Sequence, residues 1–94
     1  MQIEHKKVGT KGLFYIAGTK EPLAKMVYTM PSPGKMIIEH TEVNEELKGQ
    51  NVGVQLVKTA VEFARANDIK IIPLCPFANS VFKRKPEFAD VLAK

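Results

Sequence analysis

Three groups of residues in this 94-residue chain have types and spacing that could do chemistry. The first is the run Lys48, Gly49, Gln50, Asn51, Val52, Gly53, Val54, which lies between an apolar stretch and a stretch of helical periodicity. A strand that turns through such a segment into a helix leaves backbone N–H groups unpaired, and these together with the helix dipole attract an anionic group. Two glycines at this spacing also serve ordinary turns and close packing, so the anion reading rests on the strand before and the helix after. The second group is His40 and Glu42, separated by Thr41. Alternation along a strand puts both on one face and Glu39 on the opposite one. An imidazole or carboxylate there can act as a general base if its pKa suits neutral pH, and the plainer alternative is a solvated face. The third is Cys75, followed by Pro76. A helix N-terminus lowers a thiol's pKa and makes it a nucleophile, whereas a small buried hydrophobe at the end of a core strand is the plainer reading.

The remaining composition mostly excludes. Cys75 is the single cysteine, so no intrachain disulfide can form, and a cysteine metal site is not expected. His5 and His40 have no acidic cluster at ligand spacing, so no metal is expected either. The net charge is +4 and the pI about 9.3. That excess suits a phosphate-bearing partner. The basic residues are scattered and not interleaved with aromatics, which argues against nucleic acid as a partner. No apolar run approaches the roughly 20 residues of a membrane span, and the N-terminal MQIEHKK lacks a signal peptide's apolar core. The expectation is a cytoplasmic single domain over residues 1–94, without a membrane partner. The aromatic residues read as core or surface-patch residues, with Tyr28 a candidate general acid. Lys83, Arg84 and Lys85 form a basic run at a helix end, favourable to the helix dipole, with contact to a ligand's phosphate as the alternative.

The elements that must position these groups can be read from periodicity. Residues 2–8, 13–17, 23–30 and 36–43 read as four strands, separated by turn chemistry at residues 9–12, 18–22 and 31–34. Short connections predict an antiparallel meander. Asn44 can cap a helical turn through Leu47. Over residues 51–66 the apolar set Val52, Leu56, Ala60, Phe63 and Ala64 recurs at helical spacing, and Asn67 and Asp68 end that helix. A fifth strand over residues 69–74 follows a helical crossover and is expected parallel to the fourth. Pro73 lacks an N–H, which makes full pairing between these two strands suspect at that point. A helix over residues 77–85 is stopped by Pro86, and a last short helix spans residues 87–92. A gap between parallel strands beside an anion-binding turn suits a long ligand with a pyrophosphate at one end and amides along its arm, which is the shape of coenzyme A.

At this point the chain resembles the GNAT acetyltransferase superfamily, and more closely its very small single-domain, acetyl-CoA-binding members. The matching pieces are EHTEV on the fourth strand, LKGQNVGVQLV across the turn and helix start, PLCPF after the fifth strand and KPEFADVL at the end. The resemblance implies an α/β fold: a mixed sheet of about five strands with one long crossover helix and short C-terminal helices. It implies acetyl-CoA as co-substrate, transfer of acetyl to an amine of an unidentified acceptor, and no metal. A non-catalytic acetyl-CoA-binding module or a protein-interaction domain is the alternative. The superfamily's pyrophosphate motif, Gln/Arg-x-x-Gly-x-Gly/Ala, falls on Lys48, Asn51 and Gly53. Only Gly53 is a strict match; Lys48 keeps the charge without the guanidinium fork, and Asn51 is the non-glycine residue best suited to positive φ. By resemblance, Gln50 to Val54 cradle the pyrophosphate, and the backbone at Glu42 and Val43 meets the acyl and pantetheine end. Glu42 or His40 serves as base, and Cys75 lies in the PLCPF signature as a candidate acyl carrier. The second motif, an Asn followed at seven residues by Tyr, would use Asn79 but finds Pro86. Larger members carry two helices between the first two strands; here the turn at residues 9–12 leaves no room, so the acceptor site is open or made by another chain.

Overall fold

The computed structural model describes residues 2–93. Strands β1 (Glu4–Val8), β2 (Lys11–Ile16), β3 (Ala24–Ser32), β4 (Lys35–Val43) and β5 (Lys70–Pro73) form one sheet in sequential order. The first four are antiparallel, and β5 runs parallel to β4 after the crossover helix α1 (Val52–Ala66). Helix α2 (Pro76–Arg84) and a 3-10 helix (Pro86–Val91) complete the chain. The chain is therefore an α/β mixed sheet, with its long helix on one face.

Alternation decides which face that is. Phe14 and Ile16 of β2 stand opposite Met26 and Ala24 of β3, Tyr28 stands opposite Ile38 of β4, and all six are buried. Helix α1 covers them with Val52, Leu56, Val57, Ala60, Val61 and Ala64. The stripe is broader than the predicted set by Val57 and Val61, while Phe63 is only partly buried at its margin. The other sheet face carries Leu13, Tyr15, Lys25 and Val27, each partly exposed.

Several boundaries differ from the sequence reading. Strand β2 begins at Lys11, because Gly9 takes φ 62° and lets a two-residue turn join Val8 to Lys11. Strand β3 does not end at residue 30. It continues through Pro31 to Ser32, and the turn is Pro33–Gly34. The ladder is irregular between Thr29 and Ser32, so the missing N–H of Pro31 disrupts no regular pair. Pro86, expected only as a stop, also opens the last helix, since its fixed φ suits a first helical position. That segment is fastened from two sides. The Arg65 guanidinium donates to Asp90 Oδ1 and Oδ2 at 2.7 and 2.8 Å and to the Glu87 carbonyl at 2.6 Å. The Ala93 N–H donates to the Ile71 carbonyl at 2.9 Å, so the chain end lies along β5.

Strand β1 is exposed along its length, yet His5 turns toward the helix side. Its ring stacks on Phe14 with centroids 4.2 Å apart, meets Phe63 edge-on at 4.7 Å, and its Nε2 shares a hydrogen bond with the Tyr28 hydroxyl. Desolvation, then the neighbouring Lys7, hold the imidazole below its usual pKa, while burial raises that of Tyr28. A group depressed on folding contributes stability that is complete above its unfolded pKa of about 6.5 and is lost as pH falls through the folded value. The melting temperature is therefore expected to decline from about pH 7 to about pH 5 more steeply in the native chain than in His5→Gln. Parallel melting curves would remove His5 as the source.

Candidate functional site

The site begins with one extra residue in β4. Val27 pairs with His40, but its neighbour Tyr28 pairs with Ile38, so Glu39 is unmatched and β4 bulges there. The bulge reverses the alternation. Met36 and Ile38 face the helix side before it, and Thr41 and Val43 do so after it. Glu39, His40 and Glu42 all lie on the open face: Glu39 meets Lys11 at 3.5 Å, and Glu42 meets Lys25 at 3.7 Å. Strict alternation predicted Glu39 and Glu42 on opposite faces; the bulge puts them on the same one.

The β4–β5 ladder ends at the pair Ile38 and Pro73. The Ile38 carbonyl then accepts from both Leu74 and Cys75 N–H at 3.1 Å, and the strands part. The expected interruption at Pro73 is thus the end of the ladder. The opening leads into a cavity of about 630 Å³ lined by Thr41 and Val43 of β4, by the turn from Leu47 into the start of α1, and by Phe77 and Arg84 of α2. No acidic side chain lines it.

The floor of the cavity is the start of α1. Asn44 caps the preceding 3-10 turn, its Oδ1 accepting from Glu46 N–H at 3.0 Å. Gly49 (φ 85°) and Asn51 (φ 62°) then take the left-handed conformation, which Gly and Asn adopt at least cost. The Asn51 side chain makes no capping bond, and the first helical N–H to reach a carbonyl of this turn is that of Gln55, to Asn51 at 3.1 Å. The amides of Val52, Gly53 and Val54 are left to bind something else, at the positive end of a 15-residue helix. Gly53 is helical and needs no positive φ. What it needs is space, because a Cβ there would stand 2.5 Å from the Phe77 ring. Lys48 lines the cavity, with its ammonium paired to Glu45 at 2.9 Å.

Cys75 is the residue before α2 and is buried. Its Sγ lies 3.4 Å from Thr41 Oγ1. Burial pushes the thiol up. The hydrogen bond between the Cys75 thiol and Thr41 Oγ1 and those with the backbone of Ala78, Phe77 and Thr41 outweigh this, and the net effect is a lowered pKa. Cys75 is thus buried at the end of a core strand, as the plainer reading expects, with its thiol pKa shifted downward.

His40 and Glu42 form a pair on the open face, with Nε2 to Oε1 at 2.8 Å. A carboxylate only accepts, so Nε2 donates. The His40 bond, then the charge of Lys25, hold the Glu42 carboxyl below its ordinary value. A carboxylate so stabilised is a weaker base and a better anchor for the imidazole. Neither residue lines the cavity, and Val43 borders both it and the smaller recess beside Glu42. Gln50 is exposed and donates to the Glu46 carbonyl, and Asn79 is exposed on α2; neither lines the cavity. Tyr28 is committed to His5 and does not line it either. Sequence reasoning gave no role to Thr41, whose direction depends on the bulge, or to Phe77, which it read only within PLCPF and among the core or surface-patch aromatics. Among the described residues no His, Cys, Asp and Glu cluster could hold a metal, and no helix is long and apolar enough to cross a membrane.

Residues 13–91 match the family model of GCN5-related N-acetyl-transferases. No curated protein matches. Among solved structures, the NMR structure of a GCN5-like protein from Staphylococcus aureus is 37% identical, with a TM-score of 0.76 over 96% of this chain and 87% of that one. The ribosomal-protein-S18-alanine N-acetyltransferase of Escherichia coli matches at 8% identity and TM-score 0.66, over 83% of this chain and 53% of its own. A GNAT family acetyltransferase from Elizabethkingia anophelis, solved with acetyl-CoA bound, matches at 17% identity and TM-score 0.61, over 82% and 53%. The last two share the fold, and this chain spans about half their length.

Proposed function

The chain belongs to the GCN5-related N-acetyltransferase family, and from that premise we propose that it binds acetyl-CoA in the cavity between β4 and α2 and transfers the acetyl group to an amine. The observation that carries this reading is the parting of β4 and β5 directly beside the uncapped N-terminus of α1. A pyrophosphate fits the amides of Val52, Gly53 and Val54, with Gly49, Gln50 and Asn51 shaping the turn and Lys48 adding charge. The amide-bearing arm fits the unpaired edge at Thr41 and Val43. The acidic-free lining suits a ligand of high negative charge. On the open face, His40 held by Glu42 would take the amine's proton as nitrogen attacks the thioester carbonyl; the C–S bond breaks, coenzyme A leaves as the thiolate, and a proton returned from the imidazolium through solvent makes it the thiol. Cys75 offers a second route, in which its thiolate attacks first, an acetyl-Cys75 thioester forms, and the amine takes the acetyl group from it.

A calorimetric titration tests the binding step. Saturable binding of acetyl-CoA and coenzyme A, with none of ATP, is the expected result, and no binding of either coenzyme overturns the proposal. The route is tested by intact mass after incubation with acetyl-CoA: one acetyl group is expected on the native chain and none on Cys75→Ala if the thiol carries it. An unmodified native chain that still releases coenzyme A faster when an amine is added uses direct attack. The two-residue turn between β1 and β2 favours one other reading, a coenzyme-binding module without efficient catalysis, because no helix between those strands walls the open face. Coenzyme release that no amine accelerates would support it.

A further inference from the structure

The cavity has two cationic side chains, and they are differently occupied. Lys48 is paired to Glu45 at 2.9 Å. Arg84 stands on the α2 wall. Its Nε donates to the Ser80 carbonyl at a long 3.4 Å, and no carboxylate of the described residues is within ion-pair distance of it. The chain's other arginine, Arg65, is fully engaged by Asp90 and Glu87. Arg84 and Phe77 are seven residues apart on α2, hence on one face, and both line the cavity. A guanidinium fork directed at a cavity without acids, facing a helix N-terminus, matches the oxygens of a phosphoryl group.

We propose that Arg84, and not Lys48, is the side chain that grips a phosphate of the coenzyme, supplying from α2 the guanidinium fork that the turn before α1 lacks. The inference rests on the coenzyme-binding reading above. Stabilising the α2 dipole needs only a positive charge, which Lys83 already brings to the last turn of α2. A phosphate grip needs the fork.

The test titrates the native chain, Arg84→Lys, Arg84→Gln and Lys48→Gln with coenzyme A and with dephospho-coenzyme A, which lacks the ribose 3′-phosphate. Arg84→Gln is expected to weaken coenzyme A binding about 10- to 100-fold, the range of a lost charge-assisted bond. Arg84→Lys should regain only a minor part of this, and Lys48→Gln should cost less than about fivefold, as for an exposed and already paired cation. Equal losses on both ligands place the pyrophosphate at Arg84, and a loss confined to coenzyme A places the 3′-phosphate there; both support the proposal. Native affinity in Arg84→Gln, or full rescue by Arg84→Lys, overturns it while leaving coenzyme binding intact. A native chain that binds neither ligand overturns both. Melting curves without ligand should coincide, because Arg84 is exposed and makes one long bond.

Discussion

Gly53→Glu is expected to lower affinity for acetyl-CoA about 100-fold or more while the fold persists. The substitution puts a carboxylate in the first turn of α1, where the ligand's phosphates would sit. Two like charges about 4 Å apart repel by ~1 kcal/mol in water and ~4 kcal/mol at the effective dielectric of a protein surface, and this cavity lies between those limits. The new carboxylate would also accept from the amides that the ligand needs. For folding the balance differs. An acidic residue in the first helical turn stabilises the helix by about 0.3–1 kcal/mol, and α1 has none there now. Against this, the added Cβ must displace the Phe77 ring, which is 38% exposed and has solvent to swing into. The melting temperature should stay within a few degrees. Calorimetry and thermal circular dichroism read the two effects separately, and native affinity in a folded variant would remove the α1 N-terminus from the site.

The largest expected loss of stability is at Tyr28, the largest of the fully buried side chains. Tyr28→Ala should cost about 3–5 kcal/mol, the range for truncating a buried aromatic. A domain of this size loses about 4–8 °C per kcal/mol, so the melting temperature should fall by roughly 15 °C or more. Tyr28→Phe removes only the hydroxyl and its bond to His5, and should cost about 1 kcal/mol. Equal losses in the two variants would mean that the His5 bond, and not ring burial, holds the sheet's first strands together. The same ring explains Gly12, where a Cβ would collide with it. Gly12→Ala should therefore be costly in the native chain and nearly free beside Tyr28→Ala, a coupling that a double-mutant cycle measures.

Much of this molecule was legible in the chain itself. The strands over β1 to β4, the period change at α1, the Asn44 cap and the parallel return of β5 follow from rules of patterning and connection that tertiary packing did not override, while the positive φ of Asn51 was expected from the resemblance that sets it on a motif glycine. The glycine-bearing turn before α1 was legible because backbone geometry makes it and the side chains merely permit it. Facing was harder. An alternation argument counts residues and cannot see that Glu39 has no partner on β3, so the placement of Glu39 failed and Thr41 went unnoticed. Long-range pairs were equally silent: nothing near Gly53 mentions Phe77, and nothing near His5 mentions Tyr28. Such pairs are 23 or more residues apart in the chain, and only the closed sheet brings them together.

The bulge has a consequence for how this chain can change by insertion and deletion. At the present length of β4, the bulge acts as a two-position setting for everything downstream in the strand. Were Glu39 kept and paired without a bulge, regular alternation would carry His40 and Glu42 to the side of Met36 and Ile38 and send Thr41 and Val43 outward. The cavity would then acquire a carboxylate and lose the partner of the Cys75 thiol, and its charge would oppose the anion it now suits. Loss of Glu39 itself removes the bulge and leaves Thr41 and Val43 on the helix side, and substitutions at Glu39 likewise leave the setting where it is, whereas an inserted residue that the sheet does not take up in the bulge reverses the strand from that point on.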